Sequence, residues 1–339
     1  MKILDHSFAA TLLLATSTLG VVGTQTANAA EKADIALSGK MYAHYGYDLT
    51  EVPFEGYEEG DPRPNEFDID RVYLTSKVKM NDTLSARITT DVGRTNDKKL
   101  ELFIKYAYLQ VKATNDIKLQ FGSAGTAYVG MYDKFWGNRW LAKSFTDQEK
   151  ILDSADLGVH AKGAHADGLV SWGAAVVNGT GYGNPEDDAS KTAQARFSID
   201  PLKSGGEMSL PFTVFASKDV YTLEGEDGTT TLVGSVGFDH DVVTLWGEYV
   251  TTDDGEISGA GLSATLVGKV KDVANVVVRY DSWDPDTETE EDAHTVLRTG
   301  VTHDFAKKVS AGLIYEVTTL EALPDEPSKG VFVRMQAGF

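Results

Sequence analysis

Residues 83–92 read TLSARITTDV, and this stretch sets the fold class because its side chains alternate in character. Leu84, Ala86 and Ile88 fall on one face of an extended chain, whereas Arg87 falls on the other. Successive side chains of a β-strand point to opposite faces, so the alternation predicts a strand with one apolar and one polar face.

The same alternation recurs along the chain, as in residues 157–163, 210–217 and 330–339, and no stretch of any length has helical periodicity. Division at the turn signals gives sixteen predicted strands. They cover residues 35–48, 67–80, 83–92, 100–113, 117–123, 154–163, 169–178, 192–200, 209–219, 229–238, 242–251, 258–267, 273–283, 294–303, 309–318 and 330–339. An even number of such strands predicts an all-β fold, a transmembrane antiparallel up-and-down β-barrel wide enough to hold water.

The connections differ in length according to the strand they follow. Those after even-numbered predicted strands are short and rich in Asn, Asp and Gly, whereas those after odd-numbered strands are mostly longer. The long ones cover residues 49–66, 124–153, 179–191, 284–293 and 319–329. Short turns on one side and long loops on the other are typical of a bacterial outer-membrane barrel. A soluble β-sandwich or jelly roll has no reason to alternate loop length in this way.

Residues 1–29 have the composition of a cleavable signal peptide. Lys2 precedes an apolar run over residues 8–22, and ANA at 27–29 forms a small-x-small cleavage site. The run is too short, and too rich in Thr, Ser and Gly, for a membrane-spanning anchor, which needs about 20 apolar residues. We therefore expect an exported protein whose residues 30–339 form the outer-membrane β-barrel.

Composition narrows the classes of function. The formal net charge of -20 argues against a nucleic-acid partner, because binding phosphates needs a basic surface. The chain has no cysteine, which excludes disulfides, a lipid-attachment thiol and Cys-ligated metals. The 7 histidines have no metal-ligand spacing and cannot be paired with a nucleophile. We expect no catalytic residues, no metal, no cofactor and therefore no enzyme.

The long link 124–153 carries its own aromatic residues, so it is expected to pack against the protein. Short pieces of this chain match a known family. They are FDIDRVYL at 67–74, YAYL at 106–109, FWGNRW at 135–140, SADLGV at 154–159, VVNGTGY at 176–182, VVVRYDSWDPD at 276–286 and the terminal Phe339. With these pieces the chain resembles the Gram-negative trimeric porins, most closely those of the phosphate-selective type.

The resemblance implies a water-filled channel for passive diffusion of small hydrophilic solutes or ions, in a homotrimer of the outer membrane. It implies that loop 124–153 folds back as the pore-constricting third loop, and that barrel-assembly machinery reads Phe339. The other implied partners are the lipid bilayer and lipopolysaccharide. Pore lysines and arginines select anions in that family. The candidate constriction and lumen residues here are Asp133, Lys134, Arg139, Lys143, Arg71, Arg87, Lys105 and Arg279.

Other interpretations stay open at this point. Charges of both signs are expected in the lumen, so neither phosphate specificity nor the sign of ion selectivity follows. Links 49–66 and 284–293 are strongly acidic, which fits a solvated surface, or a mouth that gathers divalent cations. A plugged structural or adhesive barrel that binds a partner through its acidic loops is the main alternative to a channel. A soluble periplasmic β-protein is a further one.

Overall fold

A computed structural model describes residues 33–52, 56, 58–94, 99–186, 189–203, 207–220 and 228–339. The predicted signal peptide, residues 1–29, lies outside this described part of the chain. No helix among the described residues is long and apolar enough to cross a membrane.

The structure confirms the predicted fold. Sixteen strands form one closed barrel in which each strand pairs antiparallel with its neighbours in sequence, and β1 pairs with β16 to complete the ring. The strands are β1 Asp34–Asp48, β2 Asn65–Lys79, β3 Leu84–Arg94, β4 Leu100–Lys112, β5 Ile117–Gly125, β6 Ala155–His165, β7 Val170–Val177, β8 Thr192–Ile199, β9 Phe212–Asp219, β10 Thr230–His240, β11 Val243–Asp253, β12 Ser258–Val270, β13 Ala274–Asp284, β14 His294–Ala306, β15 Val309–Leu320 and β16 Leu323–Gly338. Closure of the ring removes the two free edges of an open sheet, which strands standing in lipid cannot tolerate.

The barrel wall exposes apolar side chains on its outer face and buries polar ones on its inner face, the reverse of a water-soluble protein. In β3 the apolar Ile88 points outward and is 53% exposed, whereas the polar Thr89 and Asp91 point into the lumen and are fully buried. Leu232 on β10 and Val214 on β9 point outward in the same way. A wall that is apolar outside and polar inside suits lipid around the barrel and water within it.

The connections alternate as predicted, with one correction. The turn between β10 and β11 is residues 241–242, whereas β5 and β6 are joined by residues 126–154. We call these two ends the short-turn end and the long-loop end. The predicted long loop 319–329 is wrong, because β15 and β16 continue to a turn at residues 321–322. Pro324 and Pro327 are tolerated there because β1 pairs with β16 only from Gly330 onward, which leaves one side of this segment without a strand partner.

Candidate functional site: a loop-lined constriction in the lumen

The link between β5 and β6 folds into the barrel, as the sequence predicts for its third loop. It contains helix α1 (Val129–Trp136) and the short helix α2 (Phe145–Gln148). Its aromatic residues are buried against the inner wall of β9 to β13. Tyr132 and Phe135 contact Trp246 at ring-centroid distances of 5.0 and 4.9 Å, and Tyr128 contacts Phe215 at 5.5 Å. The main apolar core of the molecule therefore lies inside the barrel, between loop and wall.

Polar contacts fix the same loop to the wall. The Tyr128 hydroxyl donates a hydrogen bond of 2.6 Å to Oε2 of Glu248 on β11, and both residues are buried. The Arg279 guanidinium donates a bond of 2.6 Å to the backbone carbonyl oxygen of Lys143, and Arg196 donates one of 3.0 Å to that of Ala127. These bonds satisfy loop carbonyl groups that have no strand partner.

Glycines on the lumen face make room for the loop. A Cβ atom at Gly237 on β10 would lie 2.6 Å from the Phe135 ring, and one at Gly261 on β12 would lie 2.8 Å from Phe145. A Cβ atom at Gly312 on β15 would lie 2.8 Å from Thr302 and 3.3 Å from Trp140. Separations under about 3.0 Å are not tolerated by carbon atoms without movement, so these positions favour glycine.

The free face of the loop carries a charged cluster around Arg139. Its guanidinium bonds Asp133 at 2.8 Å and also pairs with Asp147. Burial raises the pKa of the Asp133 carboxyl. Burial acts in the same direction on Asp147, but Arg139 and Lys143 outweigh it and lower the pKa of that carboxyl. Burial lowers the pKa of the Lys143 ammonium.

The wall opposite the loop, on β2 to β4, carries a second set of charges. Arg71 pairs with the fully buried Asp91 at 2.6 Å. The Lys105 ammonium lies 5.1 to 5.8 Å from the ring centroids of Tyr73, Tyr106 and Tyr182. Cations over aromatic faces at such distances are attracted by the negative face of the ring.

Two β-bulges bring adjacent side chains of one strand to the same side of this wall. Asp70 is the extra residue in the pairing of β2 with β1, and Lys105 is the extra residue in the pairing of β4 with β3. Consequently Lys105 and Tyr106 both line the lumen, as do Asp70 and Arg71. A bulge re-aims side chains in this way because it breaks the strict alternation of the strand.

Tyr182 is a lumen residue that sequence reasoning missed as a site residue. It lies in the link between β7 and β8, yet it stacks with Phe103 of β4 at 6.0 Å and accepts a hydrogen bond of 3.3 Å from Arg71 of β2. Gly179 and Gly181, with φ of 103° and 76°, let the chain turn inward before it. The glycine-rich VNGTGYG at 177–183 was the available signal for an inward turn.

Two cavities lie on either side of a narrow point. The upper cavity, toward the long-loop end, is about 780 Å³, and the lower cavity, toward the short-turn end, is about 490 Å³. Tyr42 and Arg139 are the residues that line both of them. We call this narrow point, between Tyr42 on β1 and Arg139 on the loop, the constriction.

Charge is segregated along the lumen. The lower cavity is lined by the cations Lys40, Lys77, Arg87, Lys105, Lys134 and Arg139, with Asp133 as the carboxylate among its lining residues. Lys77 and Arg87 are directly opposite each other on β2 and β3. Nearer the short-turn end, the register places Lys112, Lys118 and Lys162 side by side on β4, β5 and β6. Like charges opposite one another are unfavourable, so these positions favour anions in the water between them.

Of the eight predicted site residues, seven line one or both cavities and one does not. Arg71 and Lys143 line the upper cavity, and Arg139 lines both. The lower cavity is lined by Arg87, Lys105, Asp133 and Lys134. Arg279 points inward but is fully buried beneath the loop, where it bonds Asp281 at 2.8 Å, so it holds the loop rather than lining water.

At the other end of the wall, Phe339 closes the ring. Its backbone exchanges hydrogen bonds of 3.1 and 3.3 Å with Gly39, and its ring covers Gly39 on the outer surface. The carboxylates of the long loops bind nearby backbone groups, as where Asp61 accepts a bond of 3.1 Å from Glu58. Within the described ranges, no group of three or more His, Asp or Glu side chains is placed to hold a metal ion.

No protein-family model and no curated protein sequence matches the chain. Solved structures do. OprB of Pseudomonas putida superposes with a TM-score of 0.70 at 7% identity, over 90% of this chain and 94% of that one. The fold is that of the porins. An anion-selective porin from Comamonas acidovorans superposes with a TM-score of 0.63 at 12% identity, over 91% of this chain and 100% of that one. A trimer form of OmpT from Vibrio cholerae superposes with a TM-score of 0.60 at 14% identity, over 91% of this chain and 100% of that one.

Proposed function

We propose that this chain is a porin of the Gram-negative outer membrane, a channel for passive diffusion of small hydrophilic solutes with a preference for anions. The observation that carries the proposal is the loop-lined constriction between two polar cavities in a barrel whose outer face is apolar. The long-loop end then faces the outside and the short-turn end the periplasm. Loop 124–153 sets the width, and the lumen charges set the preference.

The charge segregation supports anions over cations. Six cations and one carboxylate line the lower cavity, and that carboxylate, Asp133, is paired with Arg139. Acidic residues lie mainly in the long loops, at the mouth, where salt screens them over a Debye length of about 8 Å at physiological ionic strength. Selectivity for phosphate over other anions is not part of the proposal, because charges of both signs line the lumen.

The remaining expectations belong to the same proposal. Residues 1–29 are the cleaved signal peptide, and the mature barrel sits in a bilayer with lipopolysaccharide, inserted by barrel-assembly machinery that reads Phe339. A homotrimer with one pore per subunit is supported by the trimer form of OmpT from Vibrio cholerae, which has a similar fold. No catalytic role is part of the proposal.

Planar-bilayer recording of the detergent-purified protein in a KCl gradient tests this function. We expect stepwise insertion of open channels and a reversal potential of the sign that chloride permeation gives. Arg139→Glu with Lys143→Glu should shift that potential toward cations. Because Arg139 also holds Asp133 and Asp147, Lys134→Glu with Lys143→Glu is a second variant that leaves those ion pairs intact.

The matched control is Lys271→Glu with Lys307→Glu, which changes the net charge equally in two short turns. A shift no larger than that of the control would place the loop outside the conduction path. A folded, inserted protein that never conducts would instead favour the plugged barrel that binds a partner through its acidic loops.

A further inference from the structure

Aromatic rings and cations alternate on the wall that faces the loop. The rings that line the cavities there are Tyr42, Tyr73, Phe103, Tyr106 and Tyr182. Tyr42 and Tyr73 meet edge to face at 5.8 Å, immediately at the constriction. A polar channel for ions alone has no need of such a surface, since water and charge suffice for their passage.

Tyr106 lies between two cations. The Arg87 guanidinium carbon is 4.2 Å from the Tyr106 ring centroid, and the Lys105 ammonium is 5.8 Å from it. Arg87 bonds the hydroxyl of Thr89 at 2.9 Å. In the part of the barrel that the structure describes, no carboxylate forms an ion pair with Arg87 or Lys105. Arg87 is partly exposed to the lower cavity, whereas Lys105 is only 2% exposed, so Arg87 is the cation available to a solute.

On the opposite wall, the loop presents Lys134 and Arg139 to the same cavity. Arg139 faces the same space, but two carboxylates of its own loop already bind it. Asp91, the buried carboxylate nearest to Arg71, is bound by Arg71 at 2.6 Å. Lys40, Lys77 and Lys134 also line the lower cavity, and Arg87 is the partly exposed cation there whose guanidinium lies against a tyrosine ring.

We propose that this wall is a recognition site for aromatic carboxylates passing through the constriction, an assignment that rests on the proposed channel function. The carboxylate of such a solute binds Arg87, while its flat ring packs on the tyrosine rings beside that guanidinium. Arginine suits this role because its planar group stacks on aromatic faces and binds carboxylates with two parallel bonds. The cavities of about 490 and 780 Å³ lie in the size range of small-molecule sites.

Blockade of the open channel tests the site with three probes of equal charge. Benzoate has a carboxylate and an aromatic ring, cyclohexanecarboxylate has a similar size without the ring, and acetate has the charge alone. Ring packing of this kind adds affinity of roughly 2- to 10-fold. We expect benzoate to reduce the single-channel current at concentrations roughly 2- to 10-fold lower than cyclohexanecarboxylate does, and acetate to be weakest.

Variants assign the effect to this wall. Tyr106→Leu should abolish the preference for benzoate, whereas Tyr106→Phe should keep it. Arg87→Lys retains the charge but loses the planar fork and its contact with the Tyr106 ring, so block by benzoate should weaken by a larger factor than block by acetate. If Tyr106→Leu does not fold, Arg87→Lys still tests whether the site lies on this wall. Tyr315→Leu, on the outward face of β15, is the control and should match the unaltered channel.

Open channels that benzoate and cyclohexanecarboxylate block equally would overturn the site and leave the porin function standing. A benzoate preference that survives both Tyr106→Leu and Arg87→Lys would also overturn it. Absence of any channel would instead refute the proposed function, and the site would fall with it.

Discussion

The hydrogen bond between Tyr128 and Glu248 should control how firmly the loop stays on the wall. Tyr128→Phe removes the hydroxyl that donates the hydrogen bond of 2.6 Å to Glu248, so that buried carboxylate loses this donor. The ring contact with Phe215 remains. A bond to a charged group contributes about 1.5–3 kcal/mol. Since about 1.4 kcal/mol corresponds to a factor of ten, detachment of the loop should become roughly 10- to 150-fold more frequent.

A single cysteine can report this detachment because the chain has none of its own. Val129 follows Tyr128 in the loop and is fully buried, so the thiol of Val129→Cys reacts only when the loop leaves the wall. When opening is fast relative to labelling, the labelling rate follows the population of the open form. We expect Tyr128→Phe to raise that rate by the same factor, roughly 10- to 150-fold.

The double variant Tyr128→Phe with Glu248→Leu is the control that separates the bond from general damage. Removing both polar partners leaves no unpaired group, so the labelling rate should return most of the way to that of the Val129→Cys parent. Equal rates in Tyr128→Phe and the parent would refute the reasoning. So would a double variant that labels as fast as Tyr128→Phe alone.

Three further predictions concern other parts of the barrel. Gly237→Ala places a Cβ atom 2.6 Å from the Phe135 ring. Overpacking of about 1 kcal/mol should raise the labelling rate of Val129→Cys by about fivefold. Gly234→Ala on the same strand meets nothing within 4 Å and should leave that rate unchanged. Partial desolvation, then Asp147 and Asp156, raise the pKa of Asp153 in the loop to about 6. The loop should therefore be held most firmly below about pH 4, where Asp153 is neutral whether the loop is attached or detached, and this contribution should be lost as the pH rises through 6. The frequency of channel closures should change over the same pH range, and Asp153→Asn should make that frequency less dependent on pH. Phe339→Ala should lower the yield of folded barrel in outer-membrane fractions, whereas Phe339→Tyr should preserve it, and equal yields would remove Phe339 as an assembly signal.

Much of the wall could be predicted from the sequence because strand alternation is a local property. Residues 83–92 show which side chains face outward, and each of the sixteen strands lies where the alternation indicates, within a few residues at most ends. Antiparallel neighbours in an up-and-down barrel follow chain order, so the topology needs no long-range information either. The start of β16 is the exception, because residues 323–329 belong to the strand and not to the predicted link 319–329. Local alternation could not show that β1 leaves this segment unpaired and so tolerates Pro324 and Pro327.

The sequence also marked loop 124–153 as a packed segment but not the surface on which it packs. Trp246 and Phe215 read as wall residues, and only the folded chain shows them meeting the rings of the loop. Arg279 had the position of a pore residue, yet the loop covers it completely. These contacts join residues about a hundred positions apart, and no local pattern encodes them.

Charge segregation was the other property that the tertiary structure decided. Strand by strand, the inward residues have mixed signs. In the folded chain Arg139 neutralises Asp133 and Asp147 within the loop, and Arg71 neutralises Asp91 on the wall. Bulges at Asp70 and Lys105 then turn adjacent side chains to one side of the wall. The barrel thus follows from a local alternation that the chain carries everywhere, whereas the constriction follows from distant side chains that only closure of the barrel brings together.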